Sequence, residues 1–188
     1  MRIIGGEARG RTLVAPAGSN TRPTQDYVRE SLFNILTPVL EDARVLDLFA
    51  GTGALSLEAL SRGAAFAVLC DRDRAALGAI RKNVEAVRCK ERCRVFAGEW
   101  SACLRSLEGG EPFDLVFLDP PYRMTETGEI CARLLEAGLL AQDCRLVVEH
   151  RQGAAPATDE RFRLYDQRRY GDTAISFLRL ADRQGEES

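Results

Sequence analysis

What this sequence has least of is the usual equipment of side-chain catalysis. It holds one histidine, His150, one tryptophan, Trp100, and six cysteines scattered without a C-x-x-C pair. Zinc sites want closely spaced Cys and His ligands. Only Cys89 and Cys93 lie close together and His150 is far along the chain, so no metal is expected, and all six thiols are read as reduced. His150 falls at a strand end with no evident partner, which leaves it a structural histidine rather than a proton relay. Long apolar runs are also missing: stretches such as Ala64 to Cys70 are far too short to span a bilayer. Met1-Arg2-Ile3-Ile4-Gly5-Gly6 lacks the apolar core and cleavage site of a secretory signal. A cytoplasmic protein without membrane attachment is expected, and no internal period suggests a solenoid.

An overall basic excess is absent too. The net charge is -2 over 188 residues, which excludes a molecule that binds polyanions through bulk charge. Arginine is nevertheless concentrated locally. Arg2, Arg9, Arg11 and Arg22 face Glu7 alone near the N-terminus, and Arg161, Arg163, Arg168 and Arg169 form a second cluster. Local patches of this kind can set phosphate contacts, although a solvated arginine-rich surface reads equally well from composition. The 45% apolar content suits one well-buried domain.

The pattern along the chain divides it into residues 1–24, a hairpin and arm; 25–181, the main domain; and 182–188, a polar tail expected to be disordered. Arg2-Ile3-Ile4 and Arg11-Thr12-Leu13-Val14 read as a short hairpin around Gly5-Gly6 to Gly10. Thr24 is placed to cap a helix from about Gln25 to Leu36, with Val28, Leu32, Ile35 and Leu36 at helical spacing. Strands then alternate with helices. The spacing predicts strands at 45–49, 65–70, 94–97, 113–118 and 145–149, and helices at 54–62, 73–88 and 126–137. Near-continuous apolar strands are what a parallel sheet covered on both faces requires. Phe162 to Tyr170 and Ala174 to Leu180, linked by Gly171-Asp172, read as a closing antiparallel hairpin. The class is α/β, doubly wound, with a mostly parallel sheet.

In such sheets ligands bind beyond the carboxyl ends of the strands. Asp47-Leu48-Phe49-Ala50-Gly51-Thr52-Gly53 ends the first strand. Phe49, Ala50, Gly51 and Gly53 would let backbone approach a ligand, and Asp47 would sit where a cationic amino-acid moiety is held. Ser56 stands where a dinucleotide site wants its third glycine, which weakens a pyrophosphate reading. Asp71, with Arg72 beside it, ends the second strand at the place of a ribose-holding carboxylate. Glu99 and Trp100 follow the third and would border an adenine ring. Each feature alone is weak: Asp71 could equally cap a helix and Trp100 belong to the core. Their order at three successive strand ends favours S-adenosylmethionine, with S-adenosylhomocysteine as product.

The fourth strand runs into Asp119-Pro120-Pro121-Tyr122. Two prolines stiffen the segment. The Asp119 carboxylate and the Pro120 carbonyl would accept both N–H bonds of a planar exocyclic amine, and Tyr122 would stack on the base. No cysteine lies beside the motif, so an attacking thiol of the kind used for pyrimidine carbon methylation is lacking.

These residues resemble the class I, Rossmann-like methyltransferases that act on exocyclic amines. More closely, Gly5-Gly6-Glu7-Ala8-Arg9-Gly10-Arg11, Thr21-Arg22-Pro23-Thr24, Val28 to Asn34, Val45 to Gly63 and Tyr170 to Ala174 resemble the RsmD family of bacterial 16S ribosomal RNA guanine-N2 methyltransferases. The resemblance covers nearly the whole chain. It implies a seven-stranded sheet with an N-terminal hairpin and a guanine substrate in 16S rRNA, presented on an assembling small ribosomal subunit. It also implies a monomer, catalysis by Asp119, Pro120, Pro121 and Tyr122, and an RNA-facing role for Arg9, Arg11, Arg22 and Thr24. Tyr27 stands where the family pattern has an arginine, and Asp71 where glutamate is common. No role carries over to position 27. Adenine N6 of DNA or RNA fits the same motif. A non-catalytic RNA-binding factor would predict a broken motif, and a nicotinamide oxidoreductase a third glycine; neither is found.

Overall fold

The computed structural model describes residues 1–16, 23–121 and 123–182, with backbone only for 23–25. The expected roles of Arg22 and Tyr122, the Thr24 side chain and the tail 183–188 therefore lie outside the described residues; the first helix begins at Pro23 rather than Gln25, so Thr24 falls in its first turn and not at its cap.

Helix α1 (Pro23–Leu36) precedes five strands that alternate with helices: β1 (Arg44–Asp47), α2 (Ala54–Ser61), β2 (Phe66–Asp71), α3 (Arg74–Val87), β3 (Cys93–Ala97), α4 (Trp100–Leu107), β4 (Phe113–Leu118), α5 (Thr127–Glu136) and β5 (Leu140–Arg151). The hairpin of β6 (Phe162–Tyr170) and β7 (Thr173–Leu180) follows. The sheet has seven strands in the order β3-β2-β1-β4-β5-β7-β6. All neighbours are parallel except β7, which runs antiparallel to both β5 and β6. Strand order reverses between β1 and β4, so their carboxyl ends splay apart into a crevice.

Both faces are covered, which accounts for the unbroken apolar strands. Val45, Leu115, Phe117 and Val147 face α1, α2 and α3, and Phe33 of α1 meets Phe117 at 6.0 Å between ring centroids. Leu46, Val68, Val116 and Leu146 face α4 and α5, where Leu104, Ile130 and Leu134 are buried. Helix α3 begins where Asp73 accepts a hydrogen bond from the Ala76 N–H (2.8 Å), satisfying one of the orphan donors of a helix N-terminus.

Three expectations need correction. Helix α4 was not foreseen, although Trp100, Cys103, Leu104 and Leu107 fall at i, i+3, i+4 and i+7 and face the core. Strand β5 starts at Leu140 rather than Arg145, after a shift of register against β4 between Phe113 and Leu115. His150 is not partnerless: it is buried, with Nε2 2.8 Å from Ser176 Oγ and Nδ1 2.7 Å from the Arg151 carbonyl.

The N-terminal hairpin is reduced to one antiparallel bridge, Arg2 with Thr12, and a few flanking backbone bonds. Its turn is held by α2 instead. Glu7 N–H bonds to the Ser61 carbonyl (2.8 Å) and Ala8 N–H to Ser61 Oγ (2.9 Å). A side chain at Gly6 (φ +76°) would place Cβ 1.8 Å from the Ser61 carbonyl oxygen, so the Gly5-Gly6 pair serves this docking. The arm runs the length of α2. Val14 exchanges hydrogen bonds with the buried Asn83 side chain (2.7 and 2.9 Å), which also donates to the Thr52 carbonyl (2.9 Å).

Candidate active site

The crevice beyond the strand ends has two lobes, about 630 Å³ and about 1580 Å³, which share Phe49, Gly51, Asp119 and Glu149. The smaller lobe gathers Asp71, Arg72, Glu99, Trp100, Pro120 and Pro121 from three different strand ends. The larger takes Asp47 and Ala50, and continues to Tyr27 and Arg29 of α1 and to Tyr170 at the end of β6. The predicted residues thus converge, with one exception. Gly53 lines neither lobe; it sits beneath the loop at the start of α2, where an added Cβ would lie 2.9 Å from Leu69.

The glycine loop is shaped by Asp71. Its carboxylate accepts the Gly51 N–H (2.8 Å) and the Asp73 N–H (2.8 Å), one on each oxygen. Each oxygen keeps a second lone pair, so the group can fix the loop and still take a hydroxyl. Gly51 has φ +56°, and an added Cβ would meet no protein atom within 4 Å, because it would point into open crevice. This is a cradle that a side chain would fill. Arg72 and Glu99 pair across the rim (3.0 Å), and half-buried Trp100 lies beneath the Arg133 guanidinium, 5.4 Å from its ring centroid. The residues present fit an adenosyl group carrying a cationic amino acid.

Asp47 is buried, with Ser56 Oγ donating to it at 3.0 Å. Burial pushes its carboxyl up to about 7, against the lowering effect of the Ser56 and Phe49 hydrogen bonds. Asp119 is exposed to the crevice on the wall shared by both lobes, and the surrounding protein partly desolvates its carboxylate. That setting, reinforced by nearby Glu149 and then Asp47, pushes its carboxyl up to about 8. Beyond it, Pro121's carbonyl accepts the Met124 N–H (2.8 Å), whereas Pro120's carbonyl has no hydrogen bond among the described residues. Asp119 and Pro120, which both line the smaller lobe, thus keep acceptors without a hydrogen bond among the described residues. Among the described residues, no group of three or more His, Cys, Asp or Glu is arranged to hold a metal ion, and no helix is long and apolar enough to cross a membrane.

Glu149 and Tyr27 were missed as site residues. Glu149 could have been found, since it stands where β5 passes the end of β4, at the same edge of the sheet as Asp119. Tyr27, 67% exposed at the edge of the larger lobe, lies on a helix distant in sequence from any strand end. Arg9 and Arg11 are exposed, but the turn carrying Arg9 docks at the far end of α2. At 1.5 Å per residue, that end lies about 12 Å from the crevice mouth.

Comparison with known proteins agrees with this geometry. The family model described as conserved hypothetical protein 95 matches residues 1–179. Ribosomal RNA small subunit methyltransferase D of Escherichia coli (strain K12) is 39% identical over 187 residues, 99% of this chain and 92% of its own length. YlbH of Bacillus subtilis (strain 168) is 35% identical over 181 residues, 95% of this chain and 98% of its own. The solved structure of yhhF from Escherichia coli matches with a TM-score of 0.85 at 37% identity, covering 96% of this chain and 97% of its own.

Proposed function

The chain belongs to the RsmD family, that of ribosomal RNA small subunit methyltransferase D, and on that premise we propose that it methylates the exocyclic N2 amine of a guanine in 16S rRNA, with S-adenosylmethionine as donor. The observation that carries the proposal is Asp119 at the junction of two lobes, with Pro120 next to it on the wall of the smaller one. One lobe suits the donor and the other a flipped base.

When bound, S-adenosylmethionine supplies a methyl on a sulfonium, with a neutral thioether as leaving group. The chain's own work is placement. Asp71 fixes the glycine loop, Gly51 leaves room above it, and Glu99 and Trp100 border the ring. Asp119 and Pro120 accept the two N–H bonds of the amine, which favours its pyramidal form and aims the nitrogen lone pair at the methyl carbon. Asp119 must be ionised to act as a full acceptor. Positive charge brought into the crevice favours that form and opposes the upward push of burial and Glu149. Once transfer has occurred, the nitrogen holds one proton too many, and Asp119 takes it or hands it to water.

Small ribosomal subunits from cells lacking this gene, incubated with the protein and deuterated donor, should yield labelled N2-methylguanosine on nucleoside mass spectrometry. Label in N6-methyladenosine instead would overturn the guanine reading. Asp119→Ala should slow transfer roughly 100- to 1000-fold while donor binding measured by calorimetry persists.

A further inference from the structure

Asp119 and Pro120 account for an exocyclic amine, and they would hold an adenine N6 amine as readily as a guanine N2. Something else must choose the base. Leu118 pairs with Val148 at the end of β4; Asp119 follows just beyond that strand and Glu149 follows within β5, so the two residues are neighbours at the same level of the sheet. Two residues earlier, Phe117 and Val147 are also paired and lie in one core cluster. Alternation then directs Glu149 to that same face, and Asp119, one residue past the end of β4, lines both lobes with it. Glu149 is half-buried and held on a strand paired along both edges.

We propose that Glu149 accepts the N1–H of the target guanine and thereby sets the choice of guanine over adenine. The proposal rests on the guanine-N2 reading above. On guanine's Watson–Crick edge, the N1–H stands beside the N2 amine, so two adjacent acceptor groups complement it. On adenine's edge, the ring nitrogen beside the N6 amine is an acceptor. An ionised carboxylate has no hydrogen to give, so Glu149 beside adenine would set lone pair against lone pair. Asp119 thus serves the reacting nitrogen, and Glu149 is a specificity-determining residue one strand away.

The test uses small subunits reconstituted from 16S rRNA in which the target guanosine, first mapped with the wild-type protein, is replaced by 2-aminopurine. This base keeps the N2 amine but has an acceptor at N1. Single-turnover transfer by the wild-type protein should favour guanine over 2-aminopurine by roughly 10- to 100-fold, the discrimination expected of one good base-edge contact. Glu149→Gln, whose amide can offer either a donor or an acceptor, should reduce that preference to within about threefold. Glu149→Asp, keeping the charge, should restore part of it. Equal wild-type rates on the two bases would overturn the proposal, as would a preference unchanged in Glu149→Gln even if both rates fall. Failure of the wild-type protein to form any N2-methylguanosine would instead overturn the underlying reading.

Discussion

The two ends of helix α2 treat buried carboxylates in opposite ways. At the far end Glu58 is wholly buried, yet it accepts the N–H groups of Ile4 (2.8 Å) and Gly5 (2.7 Å) and the Arg62 guanidinium (2.7 Å). At the crevice end Asp47 has one hydroxyl and a backbone donor, and among the described residues neither it nor Asp119 forms an ion pair. A buried charge that is fully paired holds structure together, while one left short of positive charge stores the demand for it. The first arrangement fastens the arm to the domain, and the second leaves the crevice prepared for a cationic ligand.

The comparison can be broken most sharply at Glu58. Glu58→Ala removes the acceptor for two backbone donors and leaves Arg62 without its partner, so it should lower unfolding stability by about 3–5 kcal/mol, read from the denaturant midpoint. A loss below about 1 kcal/mol would mean that the arm is held chiefly by its apolar contacts.

Asp119→Asn should act with the opposite sign. The folded-state value near 8 lies above the unfolded value of about 3.9. Between those limits the folded protein binds the extra proton, so stability falls as pH rises through the window. The variant removes this contribution. Without ligand it should melt on the order of 2–4 °C above the wild-type protein at pH 8 and no differently near pH 4. A variant less stable at pH 8 would show that Asp119 supports the fold rather than straining it.

The smallest effect concerns Arg9 and Arg11, which sit beside the well-paired end. Replacing both with alanine should leave stability within about 0.5 kcal/mol and reduce the salt dependence of RNA binding by roughly 1–2 in log–log slope. An unchanged slope would confine the RNA surface to the crevice end.

The same contrast decides how much could be read from sequence. The crevice is made of strand ends, and strand ends are visible because long apolar runs stop at charged or glycine residues, as at Asp71 and Asp119; Asp47 is the exception, since apolar Leu48 and Phe49 follow it and the strand reads two residues too long. The fold was legible for the same reason. The docking of the arm was not, since nothing in Gly5-Gly6 shows that the carbonyl of Ser61 will lie against it. The extra residues of β5 depend on tertiary contacts rather than on a local period, whereas the short helix α4 does print one, at Trp100, Cys103, Leu104 and Leu107, and was passed over. Glu149 was legible in principle and passed over, because no glycine or proline marks the end of its strand.

Strand β5 has a last consequence. Hydrogen-bonded to β4 on one side and β7 on the other, it cannot slip by one position without turning its core side chains outward. Residue 149 is therefore the fixed jaw of a calliper, and residue 119, one position past β4, is held by that strand end and by the two prolines after it. Relatives that drifted to another nucleobase would have to exchange the jaws, by substitution at these two positions, because the frame that carries them cannot be reset.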